Sequence, residues 1–172
     1  GIPHSETSFG QLLKDANYST GYSGKWHIGL GDGTDDNYDY TPMAHGFDDT
    51  FFFLEGSNGE TCANGKLNPT DDDNIYHACS FDHIMDCNAT EHECHVVEQP
   101  IRWENVTARH TKASLDYIEK HADDEEPWLL VHAFTQVHVP WVPSRFSLTD
   151  PYMRFWTDVV GEVDWAVGVF LQ

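Results

Sequence analysis

One uninterrupted apolar run, Trp128-Leu129-Leu130-Val131-His132-Ala133-Phe134, constrains the fold more than any other stretch. A run without polar alternation is typical of a strand that is covered on both faces in a parallel sheet. The segment that leaves this run carries Gln136, His138 and Pro140. Because ligands of open α/β sheets bind outside the carboxyl ends of the strands, His138 is a candidate for chemistry at that edge.

Three amphipathic segments predict helices over residues 5–16, 101–121 and 158–171. The first is followed by an extended segment at 21–29, and a helix followed by a strand is one half of an α/β unit. The short apolar run 51–54 predicts a buried strand or a packed turn. The apolar residues that define the three helical faces are Phe9, Leu12, Leu13 and Ala16; Trp103, Val106, Ala113, Tyr117 and Ile118; and Val159, Val163, Val167 and Phe170.

The segment Gly21-Tyr22-Ser23-Gly24-Lys25-Trp26-His27-Ile28-Gly29 combines glycines, a cation, an indole and an imidazole. In an extended strand Lys25 and His27 would project to one side and Trp26 to the other. Glycines inside a strand often mark a close approach of a ligand or another backbone. A fixed positive charge beside a group that titrates near neutrality suits an oxyanion that must be held and protonated. A surface strand with a chance Lys and His is the alternative.

The composition limits the class of protein. The chain has 172 residues, of which 40% are hydrophobic, and a formal net charge of −20. This is enough for one core, and it argues against nucleic acid or an anionic membrane as a partner. No run is long and apolar enough to span a bilayer. The chain starts at Gly1 without a signal peptide and stops at Gln172 inside an apparent helix, so we expect an internal piece of a longer protein.

Four cysteines lie in the stretch 55–99, which lacks clear periodicity and is predicted to be a stapled surface insertion. They are Cys62, Cys79, Cys87 and Cys94. An even, clustered set predicts disulfides and an oxidising compartment, with three possible connectivities. Zinc is the alternative, with His77, His83, His92 and His95 as further ligands. The absence of paired C-x-x-C motifs and the many acids nearby favour disulfides.

Three N-x-S/T sequons are candidate glycosylation sites, at Asn17, Asn88 and Asn105. Asn88 lies in the Cys-rich insertion and is the favoured acceptor. Asn17 ends a predicted helix beside the key strand, where we expect it to be more buried. The sequons agree with the cysteines in predicting a protein of the secretory pathway, whether lysosomal, in the endoplasmic reticulum or extracellular.

The residues 16–29 read A-N-Y-S-T-G-Y-S-G-K-W-H-I-G and resemble the second signature of type I sulfatases, roughly A-G-Y-x-T-x-x-x-G-K-W-H-L-G. The resemblance continues at 39–48, which contains the family's P-x-x-H-G-F-D block, at 138–140 and at 158–165. The blocks have the family's order and span nearly the whole chain. The animal arylsulfatases and steryl sulfatase resemble it most.

The resemblance implies an α/β fold, part of an alkaline-phosphatase-like sandwich of helices around a mostly parallel sheet. Residues 1–172 would form part of a sulfatase catalytic domain, with 55–99 as an insertion. Lys25 would bind the sulfate and the oxygen of the nucleophile. His27 would deprotonate the formylglycine hydrate so that the sulfated intermediate breaks down. His138 would hold the sulfate or protonate the leaving group, and Ser57 would contact the sulfate.

The family's other catalytic parts are missing from this sequence. Its nucleophile is a formylglycine made from the Cys or Ser of C/S-x-P-x-R, beside a divalent cation, Ca²⁺, held by Asp and Asn. The segment Trp141-Val142-Pro143-Ser144-Arg145 only mimics this motif, because Trp141 has no oxygen or sulfur to convert. We therefore expect no metal ligands in this piece, which alone would be inactive.

The resemblance predicts that the parent protein hydrolyses sulfate esters of a small molecule or a sugar. Aryl, steroid and sugar sulfates all remain open as substrates. Two alternatives are a phosphate-ester hydrolase of the same superfamily and a non-catalytic secreted glycoprotein that kept the scaffold.

Overall fold

A computed structural model describes residues 1–29, 40–54, 84–90, 93–98, 101–103, 105–138, 141 and 154–172, without the side chains of residues 53, 54, 154 and 155. The described elements are α1 (Phe9–Asp15), β1 (Ser19–Lys25), a 3₁₀ turn (Met43–His45), β2 (Asp49–Leu54), β3 (Ile84–Asn88), β4 (Glu93–Glu98), α2 (Val106–His121), β5 (Trp128–Ala133) and α3 (Arg154–Phe170).

The described strands form one sheet in the order β4-β3-β2-β1-β5. The three strands β2, β1 and β5 run parallel, and β1 lies between the other two. The hairpin β3–β4 adds two antiparallel strands. The α/β prediction is confirmed, and the described sheet is mixed. The apolar run 128–134 is the edge strand β5, and the run 51–54 belongs to a strand rather than to a packed turn.

The hairpin β3–β4 lies inside the predicted surface insertion. Met85 and Cys87 are buried, at 2% and 5% exposure, and the hairpin extends the sheet beyond β2. The carboxyl-terminal part of the insertion is therefore a sheet element and not only a stapled surface excursion. Its strands are short and one of them is mostly exposed, which is why the polar sequence shows little periodicity.

Helices cover both faces of β1. A Cβ added at Gly21 would lie 2.6 Å from ring carbons of Tyr117 on α2. The neighbouring Tyr22 packs its ring 5.2 Å from that of Phe47, and Phe47 in turn contacts Phe9 of α1. Because successive side chains of a strand point to opposite faces, α1 and α2 lie on opposite sides of the sheet. This local layering agrees with the predicted sandwich.

The helix α1 is shorter than predicted and packs through a glycine. It begins after Ser8, whose side chain accepts a hydrogen bond from the Gln11 backbone N–H at 3.0 Å. A Cβ at Gly10 would lie 2.8 Å from the His45 carbonyl oxygen, so the helix approaches the 3₁₀ turn closely there. Phe9 and Leu12 are 54% and 59% exposed. The helix that their spacing predicts is present, with Phe9 packed edge-on against Phe47 but largely exposed and Leu12 exposed.

The helix α2 starts at Val106 instead of residue 101, and Asn105 before it adopts a left-handed conformation. Ile101 and Trp103 precede the helix and pack beside Val106 in a core cluster with Phe52. The buried stripe of α2 is mostly polar. Its members are Val106, Thr107, His110, Thr111, Ser114, Tyr117 and His121.

Both Phe51 and Phe52 face α2. The pairing register of β1 with β2 slips at this point, and Phe52 has a positive φ of 48°. A bulge of this kind breaks the normal alternation of side chains. Phe51 stacks on Tyr117, and Phe52 stacks on His110 with ring centroids 5.1 Å apart.

The helix α3 lies on the α2 side, where Phe170 packs edge-on against His132 of β5. Val159 and Ala166 are fully buried, whereas Val167 is 43% exposed although the sequence placed it on the buried face. Within the described residues, no helix has both the length and the apolar character that a membrane crossing requires.

Candidate functional site

The carboxyl ends of three parallel strands meet at one edge of the sheet. β2, β1 and β5 end at Leu54, Lys25 and Ala133. Lys25 is paired with Leu54, and Gly24 is paired with Ala133. The segment that carries Lys25 and His27 and the segment that carries His138 therefore leave the sheet from adjacent strands, at the edge where α/β proteins bind ligands.

The strand β1 ends at Lys25, so extended geometry stops before His27. Lys25 and Trp26 are half-buried, and His27 is exposed. The backbone then turns sharply, because His27 has a φ of 55° and Gly29 a φ of 126°. The prediction that Lys25 and His27 share one face rested on strand alternation, which does not extend this far.

Trp26 packs into an aromatic cluster behind this segment. Its indole Nε1–H donates a hydrogen bond to the Tyr40 carbonyl oxygen at 2.7 Å. Its ring lies 5.0 Å from Tyr22 and 5.8 Å from His45. The Tyr22 hydroxyl donates to the Lys25 carbonyl oxygen. The cluster supports the backbone of the segment that carries Lys25 and His27.

Gly24 is required by the contact of β1 with β5 and α2. It has a φ of 101°, and a Cβ there would lie 2.0 Å from the Ala133 carbonyl oxygen and 2.5 Å from Cε1 of His110. The sequence-based expectation that glycines in this segment mark a close approach of another backbone is confirmed at this position.

His138 follows β5 by five residues. Thr135 and Gln136 before it are buried at 3% and 8% exposure, and His138 itself is half-buried. The His138 backbone N–H donates to the Thr135 carbonyl oxygen at 3.3 Å, which closes a tight turn after the strand. This turn fixes the position of the His138 backbone relative to the carboxyl end of β5.

Trp141 is a packing residue. Its indole N–H donates to the Val137 carbonyl oxygen at 3.2 Å, and its ring lies 5.5 Å from that of Trp156 on α3. This location agrees with the conclusion that the segment 141–145 only imitates a nucleophile motif. Residues 142–145 lie outside the described residues.

Two stacked imidazoles lie beneath this edge. The rings of His110 and His132 are 3.7 Å apart, and His132 Nδ1 is 2.7 Å from the Ser114 hydroxyl oxygen. Burial lowers the pKa of His132 to about 4. Burial, and secondarily the nearby His132, lowers the pKa of His110 well below its ordinary value. Both rings are therefore neutral at pH 7 and support the strand ends as packing groups.

Sequence reasoning did not identify His110. It lies in the polar stripe of α2, which apolar periodicity does not detect, and its role depends on contacts with β1 and β5 that are distant in sequence. His132 is half-buried in β5 and hydrogen-bonded to Ser114.

The P-x-x-H-G-F-D block connects α1 to β1 through the contacts of Asp48. Asp48 accepts hydrogen bonds from the Thr20 hydroxyl at 2.9 Å and from the Thr20 backbone N–H at 3.2 Å, and it pairs with Lys14 at 2.6 Å. Burial alone would raise the pKa of Asp48, but the bonds from Lys14 and Thr20 lower it. His45 is 4% exposed, and burial lowers its pKa. This block is structural in the described residues.

The prediction of disulfides is confirmed for Cys87 and Cys94, which are bonded across the β3–β4 hairpin. This bond excludes these two thiols as zinc ligands. Of the three possible connectivities, one contains this pair. Cys62 and Cys79 lie outside the described residues.

The three sequons lie in different settings. Asn88 ends β3, and its side-chain oxygen accepts a hydrogen bond from the Thr90 backbone N–H at 2.8 Å. Asn17 follows α1 with a φ of 66° and is exposed, so the expectation that it is buried is wrong. Asn105 is half-buried at the start of α2.

No group of three or more His, Cys, Asp or Glu side chains in the described part of the chain could hold a metal ion. The described residues therefore do not fit the cation that the resemblance implies. Ser57 lies outside the described residues.

Comparisons with known proteins agree with these motifs. The chain matches the Sulfatase family over residues 1–172. It is 32% identical over 157 residues to an arylsulfatase from Hemicentrotus pulcherrimus, covering 90% of this chain and 26% of the relative. It is 24% identical over 219 aligned residues to the human steryl-sulfatase, covering 100% of this chain and 37% of the relative.

The solved structure of the PsFucS1 sulfatase from Pseudoalteromonas sp. has a similar fold. The TM-score is 0.77 at 20% identity, and the match covers 99% of this chain and 35% of that one. The chain thus spans about a quarter to about two fifths of the length of these relatives.

Proposed function

Because the chain belongs to the sulfatase family, we propose that the protein of which it forms part hydrolyses sulfate esters. The observation that carries the proposal is the pairing of Gly24 with Ala133 in adjacent parallel strands. This pairing brings the segments that carry Lys25, His27 and His138 to a common edge of the sheet. A cation and two imidazoles at such an edge suit an anionic substrate that needs charge neutralisation and proton transfer.

In this proposal Lys25 binds the sulfate group. Lys25 is paired with Leu54 of β2, and Gly24 before it is paired with Ala133 of β5, so neighbouring strands hold the backbone that carries the ammonium. The charge matters because the chain as a whole repels anions, with a formal net charge of −20. A local cation is needed wherever a sulfate is to be held.

The two imidazoles carry the proton transfers. We assign to His27 the role of a base that accepts a proton through a ring nitrogen, since it is exposed at the top of the turn. We assign to His138 the contact with the sulfate or the protonation of the leaving oxygen, because that oxygen otherwise departs as an alkoxide or phenoxide. Ser57, which follows β2 by three residues, remains a further proposed sulfate contact.

The nucleophile and the cation belong to other parts of the protein in this proposal. A formylglycine would supply the attacking oxygen, and Ca²⁺ would stabilise negative charge on the sulfate oxygens. No residue of this chain is assigned to either group, and residues 1–172 alone are proposed to be inactive.

The substrate class and the compartment follow from the relatives and from the covalent chemistry. The names of the relatives include arylsulfatase, steryl-sulfatase and N-acetylgalactosamine-6-sulfatase. We propose an aryl sulfate as the first substrate to assay. The Cys87–Cys94 disulfide and the sequons at Asn17, Asn88 and Asn105 support a place in the secretory pathway.

The test is a kinetic comparison in the full-length protein. We expect Lys25→Ala to lower kcat/KM for a chromogenic aryl sulfate by about 100-fold or more, the usual effect of removing one charge-stabilising group. His138→Ala is expected to lower it by at least about 100-fold as well. Lys112→Ala is the matched control, because Lys112 is exposed and paired with Asp116 on the far side of α2, and it is expected to leave the rate unchanged.

Three outcomes would contradict the proposal in different ways. Full activity in Lys25→Ala would remove Lys25 from the site. Faster hydrolysis of the matching aryl phosphate than of the aryl sulfate would support the phosphate-ester alternative. A wild-type protein that hydrolyses neither ester would support the non-catalytic glycoprotein.

A further inference from the structure

We propose that Trp26 and Tyr40 form a clamp that positions Lys25 and His27, with Trp26 as the positioning residue. The clamp is defined by two contacts of Tyr40, one with the Trp26 indole and one with Gly29. Its link to catalysis rests on the proposed sulfatase function, whereas its effect on the backbone does not.

The segment from Gly24 to Gly29 needs an external support. Three of its six residues have positive φ angles, 101° at Gly24, 55° at His27 and 126° at Gly29. Glycine adopts such angles readily, but a positive φ is uncommon for a residue with a side chain, so His27 needs its surroundings to fix its conformation.

Tyr40 touches both sides of this turn. Its carbonyl oxygen accepts the hydrogen bond from Trp26 Nε1 at 2.7 Å, immediately before His27. A Cβ at Gly29 would lie 2.7 Å from the Tyr40 Cβ, so Gly29 approaches it closely, immediately after Ile28. The turn that presents His27 is thus held at two points against one residue.

Trp26 is itself held firmly enough to act as an anchor. Its ring makes an edge contact with Tyr22 at 5.0 Å and lies 5.8 Å from His45 and 6.4 Å from Phe47. It also packs against the cluster of Met85 and Cys87 from the β3–β4 hairpin. These contacts join the turn to both the sheet and the 3₁₀ segment.

The backbone of Lys25 is attached to the same cluster. Tyr22, whose ring contacts Trp26, donates its hydroxyl hydrogen bond to the Lys25 carbonyl oxygen. The backbones of Lys25, before Trp26, and of His27, after it, are therefore both positioned by the contacts of Tyr22 and Tyr40. In the proposed function Lys25 and His27 contact the substrate, and the indole between them supports their backbone.

The indole N–H distinguishes this role from simple packing. Trp26→Phe keeps an aromatic ring among Tyr22, His45 and Phe47 but removes the donor to Tyr40. In the full-length protein, we expect hydrogen exchange of the segment 25–29 to become about fivefold faster or more, since one hydrogen bond no longer holds it. We expect kcat for an aryl sulfate to fall by about tenfold, because the reacting groups are misplaced, with a smaller change in KM.

Tyr117→Phe is the matched control at the other end of β1. It also removes the hydroxyl of a buried residue, which lies 3.3 Å from both the Ser19 and the Leu129 carbonyl oxygens and donates to them. Exchange is expected to change near Ser19 and to stay unchanged over 25–29, with an unchanged kcat. A second variant, Gly29→Ala, places a Cβ 2.7 Å from both the Tyr40 Cβ and the Gly1 Cα at a φ of 126°, and it is expected to reproduce the exchange pattern of Trp26→Phe.

Unchanged exchange over 25–29 in both Trp26→Phe and Gly29→Ala would overturn the clamp, whatever the activity. Faster exchange with an unchanged kcat would overturn the positioning role. If the wild-type protein hydrolyses no sulfate ester, the proposed function fails, and the exchange data still decide whether the clamp exists. If Trp26→Phe does not fold, unchanged exchange over 25–29 in Gly29→Ala still overturns the clamp.

Discussion

The two ends of β1 are built differently. The amino end, Ser19 to Ser23, pairs with β5 along its length and joins β2 from Gly21, and Thr20 and Ser23 are fully buried. The carboxyl end and its continuation to Gly29 pair with the neighbouring strands as far as Lys25, contain three positive φ angles and expose His27. The amino end has regular strand geometry, and the carboxyl end has an irregular backbone.

This difference separates the part of the strand that builds the sheet from the part that carries the proposed site. Backbone pairing with β5, and with β2 from Gly21 onwards, holds the amino end, and the side chains of Asp48 and Tyr117 add hydrogen bonds to it. The carboxyl end depends on single contacts, such as Trp26 with Tyr40 and Gly24 with the backbone of β5. Irregular backbone that particular contacts hold in place is common at functional sites.

The largest expected effect comes from Gly24→Ala. A Cβ there would lie 2.0 Å from the Ala133 carbonyl oxygen, and the φ of 101° is unfavourable for alanine. We expect the free energy of unfolding of the full-length protein to fall by roughly 3 kcal/mol or more, or the protein to fail to fold. Denaturant unfolding measures this. A loss below about 1 kcal/mol would mean that the strand end is more adaptable than its contacts imply.

The next largest effect is a loss of protein stability in acid, which arises from the buried imidazoles next to the carboxyl end of β1. Burial lowers the pKa of His132 from 6.5 to about 4, so the unfolded chain binds more protons than the folded one between these values. The contribution of neutral His132 to the free energy of unfolding is complete above the ordinary pKa. It is lost as the pH falls from about 6.5 towards 4, by roughly 2 to 3 kcal/mol. The lowered pKa of His110 acts in the same direction.

Unfolding measured at pH 7 and at pH 4.5 tests the contribution of His132. His132→Asn serves as the comparison, because an amide has no charge to gain in this range. We expect the stability of this variant to change less between the two pH values than that of the wild type. Equal pH dependence in the two proteins would show that His132 does not resist protonation.

The smallest of the three effects is expected at the amino end, from Gly21→Ala. The backbone there is regular, and the three atoms nearest to the new Cβ all belong to the ring of Tyr117, at 2.6 to 3.1 Å. A side-chain ring can shift where a carbonyl of the neighbouring strand cannot, so we expect a loss of about 1 to 2 kcal/mol. Chemical denaturation of both glycine variants gives their order directly. A larger loss of unfolding free energy for Gly21→Ala than for Gly24→Ala would contradict the conclusion that the carboxyl end of β1 depends more on particular contacts than the amino end.

Sequence reasoning predicted the parallel strands and the family well, because each leaves a local signal. The apolar run 128–134 indicates a strand of the parallel sheet, although all six residues of β5 are half-buried and not covered as predicted, and the Lys25-Trp26-His27 motif indicates the family. The pairing of Cys87 with Cys94 was one of the possibilities that the cysteine count allowed.

The helix faces could not be predicted in the same way. α1 approaches the 3₁₀ turn through Gly10, and α2 approaches the sheet through a polar stripe that includes His110 and Ser114. Apolar periodicity reports which residues avoid water, but these contacts depend on small size and on hydrogen bonds between distant segments. The same reason hides the bond between Trp26 and Tyr40, which are fourteen residues apart.

The proposed active site is best tested by the structure of the full-length protein with inorganic sulfate or a non-hydrolysable sulfate ester bound. We expect the sulfate at the carboxyl edge of β1 and β5, with oxygens about 3 Å from Lys25 Nζ and from a ring nitrogen of His138. A sulfate bound elsewhere, with Lys25 and His138 both away from it, would contradict the claim that this edge is the active site.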